Sequence, residues 1–507
     1  MRFYFIFTVL ICGCMLSCTK DYQDVNNFDT TAEIENEQIF FSLLDSEGSK
    51  YNAFLINDSI IHVKVPHDID LSKLTPLFYL GEGKVSEGNE ELKSGFRSLD
   101  FSDFLNPIIL KQIQSNEEDK LLKVNIYDIP VLIMNTPDGK PIESKEIRTE
   151  GCVFNLIDND CVILNLGEAG VKGRGNSTWA QPKKPYNIKF EKKQSLFGMA
   201  KSKHWVLLSQ PYYDRTQLHN ATAFEMARLT DYPWVQNGAF VELIINGKHQ
   251  GLYYLTEKIR AEEGRIEIGD VISDDNLDGG FLLESAFHEL TPEKFQTDFF
   301  NKTNSGSPLF WEVNEPDDPN SSIVESCKGV LNNIERLIYE DVKSGAYREF
   351  IDIETAINWM LVEEVSLNQE SLNPSNLFLY KTSGGGKIFF GPPWDFDAFS
   401  FGLVGTNKMY LQRSSFYFYY FFKDPIFVNR LKEKWSTIRD VWIDNIPKFI
   451  DEKAKYLRRS IHRNEVMWPS WHEVNGYPSQ TWEERIEKMK ISFLEQLQYV
   501  DEQINGL

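Results

Sequence analysis

Val171-Lys172-Gly173-Arg174-Gly175-Asn176-Ser177-Thr178-Trp179 leads almost directly into Pro182-Lys183-Lys184-Pro185-Tyr186-Asn187-Ile188-Lys189-Phe190. Glycines let a backbone approach a ligand closely and leave N–H groups free to surround an anion. Arg174, Lys183, Lys184 and Lys189 concentrate positive charge in a chain whose formal net charge is -22. Phosphate binding needs that combination. The spacing is neither a Walker A loop nor a G-x-G-x-x-G fingerprint. On the residues alone, a glycine turn between two strands with a solvated basic face fits equally well.

A second stretch supplies the opposite charge. Ile388-Phe389-Phe390 is followed by Gly391-Pro392-Pro393-Trp394-Asp395-Phe396-Asp397. In an extended backbone, side chains at i and i+2 share a face. Asp395 and Asp397 are therefore expected to project together, with Trp394 and Phe396 turned the other way. Convergent carboxylates suit a hard divalent cation such as Mg²⁺. For an isolated pair, solvated loop aspartates are the commoner case, because acidic residues are usually exposed.

A length of 507 residues implies two or three domains, and a hydrophobic fraction of 42% with 36 phenylalanines excludes global disorder. The acidic balance excludes a general nucleic-acid binder. Arg2 precedes an uncharged run from Phe3 to Leu16, short for a membrane span and right for the core of a signal peptide. The run ends in Met15-Leu16-Ser17-Cys18, which resembles a bacterial lipobox with Cys18 as the lipidated residue; Cys14 is a second candidate. Residues 1–18 are thus expected to be a lipoprotein signal peptide. No CxxC pair exists among the six cysteines, so a structural zinc site is not expected. Cys152 and Cys161 flank a short Asp/Asn-rich stretch and invite two readings, a bridged hairpin or free thiols.

Residues 19–35 are acidic and Asn/Thr-rich, like a tether. Over 36–127, short apolar or alternating runs (Gln38–Leu44, Ile60–Val65, Leu77–Leu80, Pro107–Leu110, Leu121–Tyr127) are separated by turn residues, and predict a small β-sandwich. From 128 the texture changes. Ile129–Met134, Tyr186–Phe190, Ala239–Ile245, Leu252–Thr256 and Phe281–Glu284 read as strands. Asp214 is a candidate cap for a helix through Leu218, Phe224 and Ala227. Ile353, Ile357, Met360 and Leu361 share a helical stripe. Thr481 with Glu484 predicts a capping box opening a helix with Trp482, Ile486, Met489, Phe493, Leu497, Val500 and Ile504 on one face. Strands first and helices later indicate an α+β body over 128–507. The aromatic run Phe416–Phe422 cannot all share one face and is expected to be mostly core rather than a glycan platform.

Taken in order, several blocks form a known pattern. Lys172–Trp179 with Pro182–Phe190 resembles the CotH (spore-coat protein H) kinase family. So does Leu196-Phe197-Gly198-Met199-Ala200-Lys201-Ser202-Lys203-His204-Trp205-Val206-Leu207-Leu208, with Asp214 following. Asn246–Lys258, Gly279-Gly280-Phe281-Leu282-Leu283-Glu284 and Pro393–Asp397 complete the series. The resemblance covers roughly residues 128–500, and the module before it looks like one attached to such proteins in lipoproteins of the Bacteroides type.

The resemblance implies an atypical protein-kinase-like, two-lobed domain that binds ATP with Mg or Mn and phosphorylates Ser/Thr of a protein acceptor. Such transfer needs phosphate neutralisation, metal bridging and an aligned hydroxyl. Arg174, Gly175, Asn176 and Ser177 would embrace the phosphates, and Lys184 or Lys189 would pair with their oxygens. Glu225 or Glu257 would hold that lysine. Asn376, Asp395 and Asp397 would ligate the metal, with Asp395 the main ligand. The family usually carries an Asp a few residues after the Asn corresponding to Asn368. This chain has Gln369-Glu370-Ser371, which makes Glu370 the candidate base or leaves the base absent. The expected setting is the cell envelope, lipid-anchored to the outer membrane, with a basic acceptor favoured by the acidic surface. Two other readings stay open: a catalytically degenerate scaffold binding glycans or proteins, and a metal-dependent hydrolase using Asp395 and Asp397.

Overall fold

The computed structural model describes residues 39–57, 59–114, 118–210, 214–286, 291–299, 309–372, 377–398, 400–402, 416–469 and 480–507, with Glu370, Leu372 and Phe416 described by backbone only. Cys18 and the expected tether fall outside these residues. The fold is mixed α+β, with strands dominating the first half and helices the second.

Eight strands open the chain: β1 (Phe40–Leu44), β2 (Lys50–Ile56), β3 (Ile60–Lys64), β4 (Thr75–Tyr79), β5 (Lys84–Glu87), β6 (Glu90–Glu91), β7 (Ile109–Ile113) and β8 (Lys120–Tyr127). The expected sandwich has two facing sheets; here the strands hydrogen-bond continuously in the order β4-β1-β2-β3-β8-β7-β5-β6. Period-2 alternation explains the inward face. Along β8, Leu122, Val124 and Ile126 are buried while Leu121 is exposed. With Phe41, Leu43, Ile61 and Val63 they form a core of their own.

Seven further strands close into a barrel: β9 (Val131–Asn135), β10 (Thr149–Ile157), β11 (Ile163–Gly173), β12 (Tyr186–Gln194), β13 (Ser202–Leu208), β14 (Gly238–Ile245) and β15 (Lys248–Glu257). Their order is β10-β11-β12-β13-β15-β14-β9, and the parallel β14–β9 pair closes the ring. Leu132, Phe154, Val171, Ile188, Trp205, Val241 and Leu255 fill the interior. Outward residues of one flank, among them Val206, Leu208, Phe240 and Tyr254, join a second core shared with the helices. A short helix α1 (Ser177–Ala180) follows β11, and α2 (His219–Arg228) lies between β13 and β14.

The remainder holds a five-stranded sheet, β16 (Phe281–Ala286), β17 (Lys294–Phe295), β18 (Phe310–Glu315), β19 (Phe378–Lys381) and β20 (Ile388–Phe390), in the order β17-β18-β16-β19-β20. Around it stand α3 (Ser321–Asp341), α4 (Ile353–Val365), a 43-residue helix Pro425–Met467 and a last helix Trp482–Asn505. Helix α4 is buried at every position from Thr355 to Val365, as expected of a helix apolar around most of its circumference. The capping box at Thr481 forms as predicted, and the whole predicted stripe from Trp482 to Ile504 is buried.

Two local expectations change. Asp214 is no helix N-cap. Its carboxylate accepts from the backbone N–H groups of Thr216, Gln217 and His219, shaping the turn that leads into α2. Of the two readings of Cys152 and Cys161, free thiols hold: Cys152 faces the barrel interior and Cys161 lies in the following turn with φ 61°. The aromatic run is helical over Phe416–Phe421 and buries Tyr417, Phe418 and Phe421. Among the described residues, no helix is long and apolar enough to cross a membrane.

Candidate nucleotide and metal face

Strand β12 sets the first part of the site. Its alternation sends Ile188 and Phe190 into the barrel and leaves Lys189 exposed on the outside, paired across the sheet with Gly170 and His204. Lys258 follows directly on β15, one residue past the Trp205–Glu257 pair. The buried guanidinium of Arg265 fixes this corner by donating to the carbonyls of both His204 (3.0 Å) and Lys258 (2.8 Å).

The electrostatics of the corner are one-sided. Burial, reinforced by Arg260, Lys258, Lys189 and Arg148, pushes the His204 imidazole down to about 3. Burial together with the charges of Arg260 and Arg148 outweighs the pull of Glu284 and lowers Lys258 to about 8. Arg260 is neutralised by Glu315 (2.7 Å) and Asp317 (2.8 Å), and Arg148 donates to the carbonyls of Gly170 and Asn187. Lys189 and Lys258 have no carboxylate within ion-pair distance among the described residues. Two such lysines on one wall fit a polyanion better than a cation.

The glycine-arginine loop connects β11 to β12, and its Arg174 acts on Glu284 together with Lys258 of the wall. Arg174 places its guanidinium over Trp394, 5.3 Å from the ring centroid. Residues separated by more than two hundred positions, from the two stretches singled out in the sequence, thus come together. Glu284, at the end of the Gly279–Glu284 block, feels both Lys258 and Arg174. Burial raises its pKa, while the hydrogen bond from Asn314 (2.8 Å) and those two cations lower it.

The glycines themselves have a local task. Gly175 holds φ 75°, and a Cβ there would collide with the Thr178 hydroxyl; a Cβ on Gly173 would collide with the Trp179 ring. Their bareness lets the loop fold back on itself. Lys184 belongs to that brace: its Nζ donates to the Trp179 carbonyl (2.6 Å) and lies over the Trp179 ring. Of the two lysine candidates, Lys189 is the one on the cationic wall. Asn176 is exposed and accepts from Lys145 (2.9 Å), and Ser177 is exposed at the start of α1. Lys183, given no role beyond its charge, is buried. It donates to the Leu252 carbonyl and to Asn464 Oδ1, and burial drives its pKa well down.

The acidic loop does not have the expected extended form. Asp395 adopts φ 69°, a left-handed conformation that Asp tolerates better than most residues, so the alternation argument fails at its first member. Trp394 and Phe396, expected on one side of the loop, share one partner. Trp394 stacks on Phe224 of α2 (5.8 Å, 13°) and Phe396 meets the same ring edge-on (6.3 Å, 83°). Three amide side chains clamp the backbone: Gln236 donates to the Pro393 carbonyl (2.6 Å), Asn220 accepts from the Phe396 N–H (2.9 Å) and Asn368 donates to the Asp395 carbonyl (3.4 Å). Asp395 and Asp397 are half-buried.

Other expected members separate or fall outside. The Glu370 backbone lies in a 3₁₀ turn, Gln369–Leu372, close in sequence to Asn368; its side chain, and all of Asn376, lie outside the described residues. Neither candidate for holding the lysine does so. Glu225 pairs with Arg228 (2.8 Å), and Glu257 accepts from the Asn237 N–H and faces Arg265. Among the described residues, no three His, Cys, Asp or Glu side chains group as metal ligands. A Mg²⁺ bound through one or two carboxylates, substrate phosphates and water asks for no such group, and Asp395 and Asp397 are oxygen donors of the kind it takes. Sequence reasoning assigned no role to Lys258, Glu284, Asn220 or Gln236. Glu284 ends the apolar run Phe281–Leu283 with a charge, and Lys258 belongs to the Glu257-Lys258 pair that follows Leu252–Thr256; that break in texture was the available signal. The two amides carry none.

The chain thus joins a closed barrel to a helical α+β body, and Arg174 of the glycine-arginine loop meets Trp394 of the acidic loop between them. The model of the CotH kinase protein family matches residues 171–499, from the glycine-arginine loop into the last helix. The chain belongs to the CotH kinase family. A search of curated proteins gave no match.

Proposed function

We propose that this protein is a kinase-like phosphoryl transferase. It uses ATP with Mg²⁺ or Mn²⁺ and a Ser/Thr hydroxyl of a protein acceptor. The barrel and the helical body act as the two lobes of a kinase-like domain. The contact between Arg174 and Trp394 carries this reading, because it brings the phosphate-type loop against the residue preceding Asp395. ATP with its metal would supply the transferable phosphoryl group. Arg174, Lys189 and Lys258 hold phosphate oxygens. Asp395 and Asp397, with Asn376, hold the metal. Glu370 takes the acceptor proton. Electrostatic positioning supplies most of the catalysis in this chemistry, so a glutamate in place of the family's usual aspartate is compatible with turnover.

Transfer of label from γ-³²P-ATP to the protein itself or to a Lys/Ser-rich peptide, with Asp395→Asn as control, tests the proposal. Metal-dependent label lost in the variant supports it. Absence of both label and any ATP/Mn²⁺ thermal shift in the wild type overturns it. Gln369-Glu370-Ser371 favours one second reading, a scaffold that binds nucleotide without turnover; a thermal shift without label identifies it. We further propose attachment to the outer membrane through lipidated Cys18, which Cys18→Ser would release into the soluble fraction.

A further inference from the structure

A cavity of 1170 Å³ among the described residues lies away from the cationic wall. It lies where loops of the N-terminal module, the barrel strands β14 and β15, α2 and the long helix Pro425–Met467 come together. Its charge is opposite in sign to that of the wall. Asp45, Glu47, Asp68, Asp70 and Glu225 line it, against Arg228 and Lys453.

The individual groups sharpen this. Glu225 is neutralised by Arg228. Asp45 accepts from the Tyr51 hydroxyl (2.8 Å) and two backbone N–H groups, and Asp70 from Ser72; these bonds hold both carboxyls below the usual range, and so ionised. Glu47 and Asp68 are exposed and have no ion-pair partner among the described residues. Aromatic walls complete the cavity: Tyr51, Phe240, Phe449 and Tyr456. Ionised carboxylates beside ring faces suit guanidinium and ammonium groups, which gain from both.

An independent feature points to an occupant. Tyr254 is 3% exposed and lines the cavity, and its hydroxyl has no hydrogen-bond partner among the described residues. Gly238, another lining residue, lies under the tip of that ring, where an added Cβ would come within 2.6 Å of Cζ. The ring is buried while its hydroxyl stays accessible at the cavity, where a ligand group can pair with it.

We infer that this cavity is a docking site for an arginine- or lysine-rich peptide segment of a protein partner, bound between the N-terminal module and the barrel. Its net negative lining favours a cationic peptide over a neutral glycan. The inference does not rest on phosphoryl transfer, and its test needs no nucleotide.

The experiment is calorimetric titration of the full chain in detergent with a nonapeptide of alternating arginine and serine. Controls are the same peptide with glutamate for arginine, and a neutral β-linked glucose oligosaccharide. The wild type should bind the arginine peptide alone, more weakly as salt rises. The surface double variant Glu47→Lys/Asp68→Lys should weaken binding by about tenfold or more, and Tyr254→Phe by several-fold with the fold intact by circular dichroism. The proposal is overturned by an absence of arginine-peptide binding at millimolar concentration, by equal affinity in the double variant, or by binding of the oligosaccharide instead.

Discussion

The guanidinium of Arg174 stacks on the indole of Trp394, 5.3 Å from the ring centroid, while the other face of the same loop is held by Phe224. The glycine-arginine loop and the acidic loop are therefore one unit in space. Arginine suits this position because its planar cation can stack and still present N–H donors at its edge. Arg174→Lys should keep the charge but lose the stack. The Kd for ATP with Mn²⁺ should rise about three- to tenfold in that variant, corresponding to ~1 kcal/mol of cation–π contact, and further in Arg174→Ala. Equal affinities for wild type and Arg174→Lys would remove the stack from the argument.

Asp395 sits at φ 69°, so alanine there would add backbone strain to the loss of charge. Asn tolerates this conformation, which makes Asp395→Asn the cleaner test. Loss of a charge-stabilising group at the reacting centre costs on the order of 10²–10³ in rate. Label transfer should fall by that amount while the melting temperature without ligand stays within a degree or two. A variant that retains transfer would place the metal elsewhere.

Lys258 gives the pH dependence a sign. Its pKa is lowered to about 8 by burial and by neighbouring cations. The ammonium is present below that value and lost above it, so affinity for ATP should decline as pH rises through about 8. A bound anion pulls the pKa upward and moves the decline to higher pH. Lys258→Met should bind weakly at every pH and show no such decline. Stability runs the other way. Between about 8 and the unfolded value near 10.5 the unfolded chain binds more protons at this site, so the folded state gains stability with rising pH. Titration of ATP affinity from pH 6.5 to 9.5 in both proteins decides it; parallel curves would exonerate Lys258.

Asn464, on the long helix, accepts from Lys183 Nζ (2.8 Å) and from the Leu252 N–H (3.1 Å). All three groups are buried. Asn464→Ala strands two buried donors and should cost about 2–4 kcal/mol, read as a lower urea midpoint. Asn464→Asp retains the acceptor and offers Lys183 an ion pair, and should recover much of the loss at neutral pH. An unchanged midpoint in the alanine variant would mean that Lys183 finds another acceptor.

Much of this was legible in the sequence, and the failures have physical causes. Helix faces were readable because burial follows the 3.6 period, as from Trp482 to Ile504, and the capping box at Thr481 is a local interaction. Strand runs such as Tyr186–Phe190 and Ala239–Ile245 were visible from their apolar texture. Barrel closure was not, because the β9–β14 pairing joins segments more than a hundred residues apart. The acidic loop was misjudged because alternation assumes an extended chain, and the clamps that bend this one (Asn220, Gln236 and Asn368) come from distant elements. Lys184 and Lys189 looked alike as cations; only the fold of the Trp179 turn separates them.

Helix α2 is a wall to two chambers. Asn220 and Phe224 grip the loop that carries Asp395, while Ala221, Glu225 and Arg228 line the acidic cavity, and Arg228 also donates to the Gln236 carbonyl next to the clamp on Pro393. By thermodynamic reciprocity, whatever factor an occupant of the cavity imposes on nucleotide affinity, nucleotide must impose on that occupant. A partner that docks there would report on, and be reported to by, the filling of the opposite face.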